Sequence, residues 1–107
     1  MEPYAEISPE ALRARLLGPE PPVLLDVREP WEHELAALPG ARLIPLDQLE
    51  WRVEEIRPDH EVVVYCHHGM RSAAAVQWLR AQGIPAVNLA GGIDAWAARV
   101  DGRLHRY

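Results

Sequence analysis

The sequence of 107 residues contains no lysine, no phenylalanine and no threonine, and it has a single cysteine, Cys66. One cysteine cannot form an internal disulfide, which fits a reducing compartment. No apolar run approaches the roughly 20 residues that a membrane-spanning helix requires. The first eight residues do not combine a basic segment with an apolar one, so they do not look like a signal peptide. We therefore expect a cytoplasmic protein with no membrane partner.

Positive charge is also scarce, since the sequence has 11 arginines against 16 Asp and Glu residues, and its formal net charge is −5. Nucleic-acid binders usually carry a basic patch, so we expect no nucleic-acid partner. An anionic substrate would have to be attracted locally, against the field of the whole molecule. Length and a hydrophobic content of 49% predict one globular domain over residues 1–107, with a core at about 4–97. The tail at 98–107 carries a turn signal at Asp101-Gly102, and we expect its last residues to be mobile.

Strand-like and helix-like segments alternate along the chain. Apolar runs predict strands at residues 4–7, 23–27, 43–44, 61–66 and 85–90. Helix-start signals occur at Ser8-Pro9, Pro30, Asp47, Ser72 and Gly91. The residues predicted to form apolar helix faces are Leu12, Leu16 and Leu17, then Leu49, Val53 and Ile56, then Val76 and Leu79. This order predicts an α/β fold with a mainly parallel sheet.

Cys66 follows the fourth predicted strand and precedes a helix, at the sheet edge where open parallel sheets bind ligands. The loop from Cys66 to Arg71 leads into a helix N-terminus, whose free amides and dipole favour an anion. Gly69 allows the loop to curl so that several amides point at one atom. We therefore predict an exposed, nucleophilic thiolate at Cys66, beside the fixed charge of Arg71, in a pocket for a small dianion.

Two other interpretations of Cys66 compete with this one. A lone cysteine after a strand is commonly a small core residue. A zinc ligand is the second alternative, but the adjacent His67 and His68 could not easily join Cys66 on one tetrahedral ion, so we predict no metal. The glycine, arginine and serine that follow favour the nucleophile. Each histidine is either an exposed loop residue or a substrate contact.

Other polar and aromatic residues receive a structural interpretation. Asp26, Arg28 and Glu29 follow the second strand, and we expect an ion-pair network there rather than a substrate contact. Ser72 is expected to cap its helix first and to touch the substrate second. Both Trp78 and Trp96 are expected to be packing residues.

The segments "CHHGMRS" and "AAAVQWL" resemble the active-site loop of rhodanese-like sulfurtransferases and the helix after it. Three further segments resemble the same family, in the same order: "LLDVREPWEHE" at 24–34, "LPGARLIPL" at 38–46 and "GIPAVNLAGGIDAW" at 83–96. One departure is Ala36-Ala37, where the family often has Gly-His. The resemblance implies a rhodanese-like α/β fold, with a five-stranded, mainly parallel sheet flanked by helices on both faces.

The resemblance also implies a sulfurtransferase that works through a persulfide on Cys66. The donor would be thiosulfate or a persulfide, the acceptor a thiol or cyanide, and no cofactor would be needed. A sulfur-donor or sulfur-acceptor protein is a further candidate partner. The catalytic residue would be Cys66, and the substrate-binding residues would be His67, His68, Gly69, Met70, Arg71 and Ser72.

Two alternative functions stay open. In the first, the protein is a persulfide carrier that receives sulfur from a desulfurase and passes it to a biosynthetic enzyme. In the second, it is a phosphatase or an arsenate reductase. Phosphatases that share the rhodanese fold have five residues between cysteine and arginine, whereas only four residues separate Cys66 from Arg71 here. The shorter loop favours a single sulfur atom over phosphate.

Overall fold

A computed structural model describes residues 5–56 and 60–107. Its five strands are β1 (Glu6–Ile7), β2 (Val23–Asp26), β3 (Arg42–Leu43), β4 (Val62–Tyr65) and β5 (Ala86–Leu89). They form one sheet in the order β1-β5-β4-β2-β3, and all four strand pairings are parallel. The predicted fold class is confirmed, and the sheet is parallel throughout rather than mainly parallel.

The helices are α1 (Pro9–Leu16), α2 (Pro30–Leu35), α3 (Leu49–Arg52), α4 (Met70–Ala81) and α5 (Gly92–Arg99). Short 3-10 turns flank α3 on both sides, at Leu46–Gln48 and Val53–Glu55. Within residues 5–56 and 60–107, no helix has the length and apolar character needed to cross a membrane.

Side chains of β4 alternate between two cores, one on each face of the sheet. Val62, Val64 and Cys66 pack with residues of α3 and α4, while Val63 and Tyr65 pack with residues of α1 and α5. Every residue of β4 is buried, which explains its uninterrupted apolar sequence. The strand thereby delivers Cys66 to the carboxyl edge of the sheet from the centre of the molecule.

Several predicted helix starts are confirmed and others are wrong. Ser8 caps α1, where its hydroxyl accepts the Ala11 N–H at 3.1 Å, and α2 begins at Pro30. Asp47 does not cap a helix, because it lies inside the 3-10 turn that precedes α3. Leu17 is 80% exposed, since α1 ends one residue earlier and does not turn it inward. Residue 4, where the first strand was predicted to begin, lies outside the described ranges.

The helix after the cysteine loop begins at Met70, three residues before the predicted start. Its N-cap is Gly69, whose φ of +106° turns the chain directly into α4. Ser72 is therefore not the cap, and it lies fully buried in the first turn of the helix. The early start places the first amides of α4 above Cys66.

The C-terminal tail is packed, which contradicts the expectation that it is mobile. Leu104 and Tyr107 contact the core cluster built around α1 and α5. Arg106 donates to Asp94 at 3.0 and 3.1 Å. The apolar surface of the side chains at 104 and 107 explains the packing, because it is buried against that cluster. The tail thus returns toward the loop that contains Cys66.

Candidate active site

The Cys66 sulfur lies among hydrogen-bond donors supplied by its own loop. The Gly69 N–H donates to Sγ at 3.1 Å and the Ser72 N–H at 3.4 Å. The Ser72 hydroxyl lies 3.3 Å from the same sulfur. Backbone amides at a helix N-terminus point at a negative charge without a partner of their own. The loop therefore directs hydrogen-bond donors at the cysteine sulfur, in the direction where an anionic sulfur would accept them.

Cys66 is only 1% exposed, which corrects the prediction of an exposed cysteine. The physical reason is the early start of α4. The loop curls so tightly at Gly69 that the first turn of the helix encloses the sulfur. The groups that would stabilise the thiolate are the same groups that bury it.

Ser72 connects Cys66 to a buried amide on β5. Its Oγ lies 2.6 Å from Asn88 Oδ1, while Asn88 Nδ2 donates to the Gly69 carbonyl at 3.0 Å. A hydroxyl has one proton, so it donates either to Asn88 or to the cysteine sulfur. The shorter contact favours Asn88 when the sulfur is a thiol. A thiolate can draw the same proton toward itself.

The N-terminus of α5 holds the carbonyls of the loop. The Ile93 N–H donates to the Cys66 carbonyl at 2.9 Å, and the Asp94 N–H donates to the His67 carbonyl at 3.1 Å. Gly92 has φ +65°, and a Cβ there would lie 2.4 Å from the His67 oxygen and 2.5 Å from the Cys66 oxygen. Only glycine allows this approach, which fixes the direction of the loop amides.

Arg71 does not extend freely toward a substrate, because its guanidinium is paired with Glu32. Its two terminal nitrogens donate to the Glu32 carboxylate at 2.7 and 2.9 Å. This two-pronged geometry is the strong form of an arginine–carboxylate pair. Glu32 is 3% exposed and belongs to α2, which follows β2 at the same sheet edge. The predicted cation is present, and a carboxylate neutralises it.

Four hydrogen bonds keep Glu32 ionised. Besides the two from Arg71, the carboxylate accepts the Glu29 N–H at 3.0 Å and the Tyr107 hydroxyl at 2.7 Å. The pKa of Glu32 is lowered to about 2, chiefly by the Arg71 hydrogen bonds. The pKa of Arg71 is raised, first by Glu32 and to a smaller extent by the charge of Cys66. Both partners are therefore charged at neutral pH.

Tyr107 joins the tail to three parts of the site. Its ring stacks on His67 with centroids 3.8 Å apart and an interplanar angle of 8°. Its hydroxyl donates to Glu32 and accepts from Arg28 at 2.6 Å. Burial raises the pKa of Tyr107 to about 12, so it remains a donor. The last described residue thus helps to hold Glu32 in place.

Asp26 and Arg28 form a buried ion pair behind the site, as the structural interpretation predicted. The guanidinium donates to both Asp26 oxygens, at 2.9 and 2.7 Å, and both residues have no exposed surface. Burial alone would lower the pKa of Arg28, but hydrogen bonds with Asp26 and Tyr107 raise it. Glu29 is the N-cap of α2. These residues support the site and do not line it.

The remaining loop side chains lie at different depths. His67 stacks between Tyr107 and His68, and burial lowers its pKa, so it is neutral at pH 7. His68 is exposed and lies 3.8 Å from Asp94. Met70 is 84% exposed. The structure thus brings Cys66, Gly69 and Ser72 together and directs the side chains of His68 and Met70 outward.

One group of side chains has the composition of a metal site. Ligand atoms of His67, His68 and Asp94 lie within 4.8 Å of one another, the one such group among the described residues. However, Arg106 already neutralises Asp94 with two hydrogen bonds. The expectation that no metal is needed remains a prediction.

Three residues of the site were not among the predicted ones: Glu32, Asn88 and Tyr107. Asn88 carries a sequence signal, since it is a polar residue inside an apolar strand. Glu32 lies within the segment 24–34 that resembles the family, but nothing in its spacing connects it to Arg71. Tyr107 has no signal, because its role depends on how the tail folds back.

Comparison with known proteins places these features in one family. The chain matches the family described as rhodanese-like domain over residues 8–99. It is 42% identical to a sulfurtransferase of Allochromatium vinosum, over 86% of this chain and 87% of that protein. It is 36% identical to the putative sulfur carrier protein YrkF of Bacillus subtilis, over 90% of this chain and 52% of that protein.

A solved structure agrees with the fold. The crystal structure of a rhodanese-like domain protein from Staphylococcus aureus is 33% identical, with a TM-score of 0.83 over 95% of this chain and 97% of that one. The chain spans 38% and 62% of the length of two further curated relatives that it matches.

Proposed function

Because the chain belongs to the rhodanese-like domain family, we propose that it transfers sulfane sulfur through a persulfide on Cys66. Its relatives include a sulfurtransferase and a putative sulfur carrier, which supports a role in sulfur transfer. The observation that carries the proposal is the set of three donors around Sγ: the Gly69 N–H, the Ser72 N–H and the Ser72 hydroxyl.

The first half-reaction loads the cysteine. The Cys66 thiolate attacks the outer sulfur of the donor, and the bond between that sulfur and the rest of the donor breaks. With thiosulfate, Cys66–S⁻ and S–SO₃²⁻ give Cys66–S–S⁻ and sulfite, so atoms and charge balance. The loop amides then hold the terminal sulfur as they held the thiolate. No cofactor is needed for this step.

The second half-reaction empties the cysteine. A thiolate or cyanide attacks the terminal sulfur, takes it as a persulfide or thiocyanate, and returns the Cys66 thiolate. The donor product leaves before the acceptor reacts, so the kinetics are ping-pong. Of the predicted substrate-binding residues, Gly69 and Ser72 act directly on sulfur in this proposal. Met70 and His68 are exposed, His67 stacks on Tyr107, and Arg71 acts within its pair with Glu32.

Steady-state kinetics test the proposal. Thiocyanate formation from thiosulfate and cyanide should give parallel double-reciprocal lines for the wild type and no turnover for Cys66→Ser. Phosphate release from an aryl phosphate by the wild type, lost in Cys66→Ser, would contradict sulfur transfer.

A carrier role is the second candidate, because a relative that covers 90% of this chain is named a putative sulfur carrier. In that case a persulfide on a desulfurase loads Cys66 faster than thiosulfate does. Comparing the loading rates from the two donors separates the carrier from a thiosulfate enzyme.

A further inference from the structure

We propose that Glu32 is a specificity-determining residue that makes Cys66 accept sulfur from persulfides and other donors of low charge in preference to the thiosulfate dianion. This inference rests on the proposed function and names the donor class for the same site.

The charges around the loop carry the argument. Arg71 belongs to the loop, Arg28 donates to the Tyr107 that stacks on His67, and Arg106 donates to the Asp94 whose N–H binds the His67 carbonyl. Each of these three arginines is paired with a carboxylate: Arg28 with Asp26, Arg71 with Glu32 and Arg106 with Asp94. His67 is neutral, so it adds no charge. The positive potential that remains comes from the amides of Gly69 and Ser72 at the start of α4.

Those amides can offset only about half of one negative charge. A helix N-terminus contributes roughly half a positive charge, and the Cys66 thiolate already occupies it. Thiosulfate would bring two further negative charges close to the Glu32 carboxylate. A persulfide brings one charge or none, so its approach costs less. The net charge of −5 acts in the same direction.

The pairing of Glu32 with Arg71 is built into the fold. Glu32 is 3% exposed and holds four hydrogen bonds, one of them from Tyr107. If Arg71 moved away, the buried Glu32 carboxylate would be left without its cationic partner, which is strongly unfavourable. A substrate anion has to compete with a preformed two-pronged pair.

Apolar surface beside the pair suits the organic part of a persulfide. Trp31 is 59% exposed and packs edge-on against Tyr107, which donates to Glu32. Met70 precedes Arg71 in the chain and is 84% exposed. Inorganic thiosulfate has no carbon to bury against such side chains. The exposed apolar groups therefore favour the same donor class as the charges do.

Two donors that differ by one charge test the proposal. Methanethiosulfonate is a monoanion that loads sulfur by the same attack: Cys66–S⁻ and CH₃SO₂–S⁻ give Cys66–S–S⁻ and CH₃SO₂⁻. In the wild type, kcat/KM should be higher for methanethiosulfonate than for thiosulfate. Glu32→Gln frees the charge of Arg71, and the preference should fall about tenfold, mainly because thiosulfate reacts faster.

Glu55→Gln is the matched control. Glu55 is likewise an ion-paired carboxylate, here with Arg42 and Arg52, but it borders a cavity with Val23 at the opposite, amino end of β2. The donor preference of the Glu55→Gln variant should equal that of the wild type. An unchanged preference in Glu32→Gln, or an equal change in Glu55→Gln, would overturn the role of Glu32 and leave sulfur transfer intact.

A measurement on the wild type avoids any folding defect of the variant. Raising the ionic strength screens charge, so kcat/KM for thiosulfate should stay constant or rise if the loop is not net positive. A steep fall would show a free cation at the site and would overturn the proposal. If neither donor adds sulfur to Cys66 at all, the proposed function itself fails, and the specificity with it.

Discussion

At the scale of single residues, the described hydrogen bonds to the Cys66 sulfur come from Ser72 and Gly69 and not from the two histidines beside the cysteine. Ser72 donates its N–H to the Cys66 sulfur, and its hydroxyl lies within hydrogen-bond distance of both that sulfur and Asn88 Oδ1. The histidines attract attention in the sequence because imidazole titrates near neutral pH. In the structure His67 is stacked on Tyr107, where burial lowers its pKa, and His68 is exposed to solvent. A titratable residue type next to the cysteine in the sequence is therefore not necessarily one whose side chain contacts the cysteine sulfur.

Replacing Ser72 by Ala should slow loading of Cys66 by roughly tenfold to a hundredfold, because one donor to the anionic sulfur is lost. The variant should also unfold more easily, by about 1–3 kcal/mol, because Asn88 loses a buried partner. Ser8→Ala is the control, since loss of the α1 cap costs about 1 kcal/mol and touches no reacting atom. Stopped-flow loading and urea unfolding measure both effects. Equal loading rates in the two variants would contradict the role of the Ser72 hydroxyl.

Glu32 should make stability depend on pH in acid. Its pKa is about 2 in the folded protein against an ordinary 4.5, so the folded state binds fewer protons between these values. Stability from Glu32 is therefore complete above about pH 5 and is lost as pH falls toward 2. Urea unfolding of the wild type should weaken over this window more steeply than that of Glu32→Gln. Parallel curves for the two proteins would contradict the lowered pKa.

At the scale of elements, the loop is shaped by the helices on either side of it. The first turn of α4 encloses the sulfur, and the N-terminus of α5 holds the loop carbonyls. Neighbouring β5 adds Asn88 beneath the loop. Each of these elements ends or begins at the carboxyl edge of the sheet, which is where parallel topology gathers them.

Gly92→Ala should disrupt transfer, because its Cβ would lie 2.4 Å from the His67 oxygen and push the loop away from α5. We expect at least a tenfold loss of kcat/KM together with lower stability. Gly83→Ala is the control: Gly83 also has a positive φ of 85°, but nothing lies within 4 Å of an added Cβ. It should cost about 1–2 kcal/mol of stability and leave transfer by the folded protein unchanged. Full activity in Gly92→Ala would show that the contact between α5 and the loop is dispensable.

Element positions were largely predictable, and the exact helix boundaries at the site were not. Apolar runs and the Ser8-Pro9 start are local signals, so β2, β4 and α1 follow from the sequence alone. The start of α4 depends on the positive φ of Gly69. Glycine permits this φ, but the neighbouring residues in the sequence do not indicate that the helix begins directly after it. The pairing of Arg71 with Glu32 spans 39 positions and exists only after the sheet has brought α2 beside the loop. Such long-range contacts leave no periodicity to detect.

At the scale of the whole molecule, the C-terminal tail connects the cysteine loop to the residues that follow β2. Residues after α5 return to the loop, and Tyr107 bridges Arg28 and Glu32 while stacking on His67. The turn signal at Asp101-Gly102 suggested mobility. Burial of Leu104 and Tyr107 against the core outweighs that signal.

Tyr107→Phe should lower stability by about 1–3 kcal/mol, because Arg28 and Glu32 each lose a hydrogen-bond partner while the stacking on His67 is kept. Arg103→Gln, at a side chain that is 92% exposed and paired on the surface, should change stability by less than about 0.5 kcal/mol. Thermal or urea unfolding of both variants measures the difference. Equal stabilities would mean that the hydrogen bonds of the Tyr107 hydroxyl do not contribute to the free energy of unfolding.

The persulfide on Cys66 is tested most directly by intact mass spectrometry. The protein is incubated with thiosulfate or methanethiosulfonate, freed of excess donor, and measured before and after addition of cyanide. We predict a gain of one sulfur atom that maps to the Cys66 peptide, disappears with cyanide and is absent in Cys66→Ser. An unchanged mass with both donors, or an added sulfur that Cys66→Ser still acquires, would contradict sulfur transfer through this cysteine.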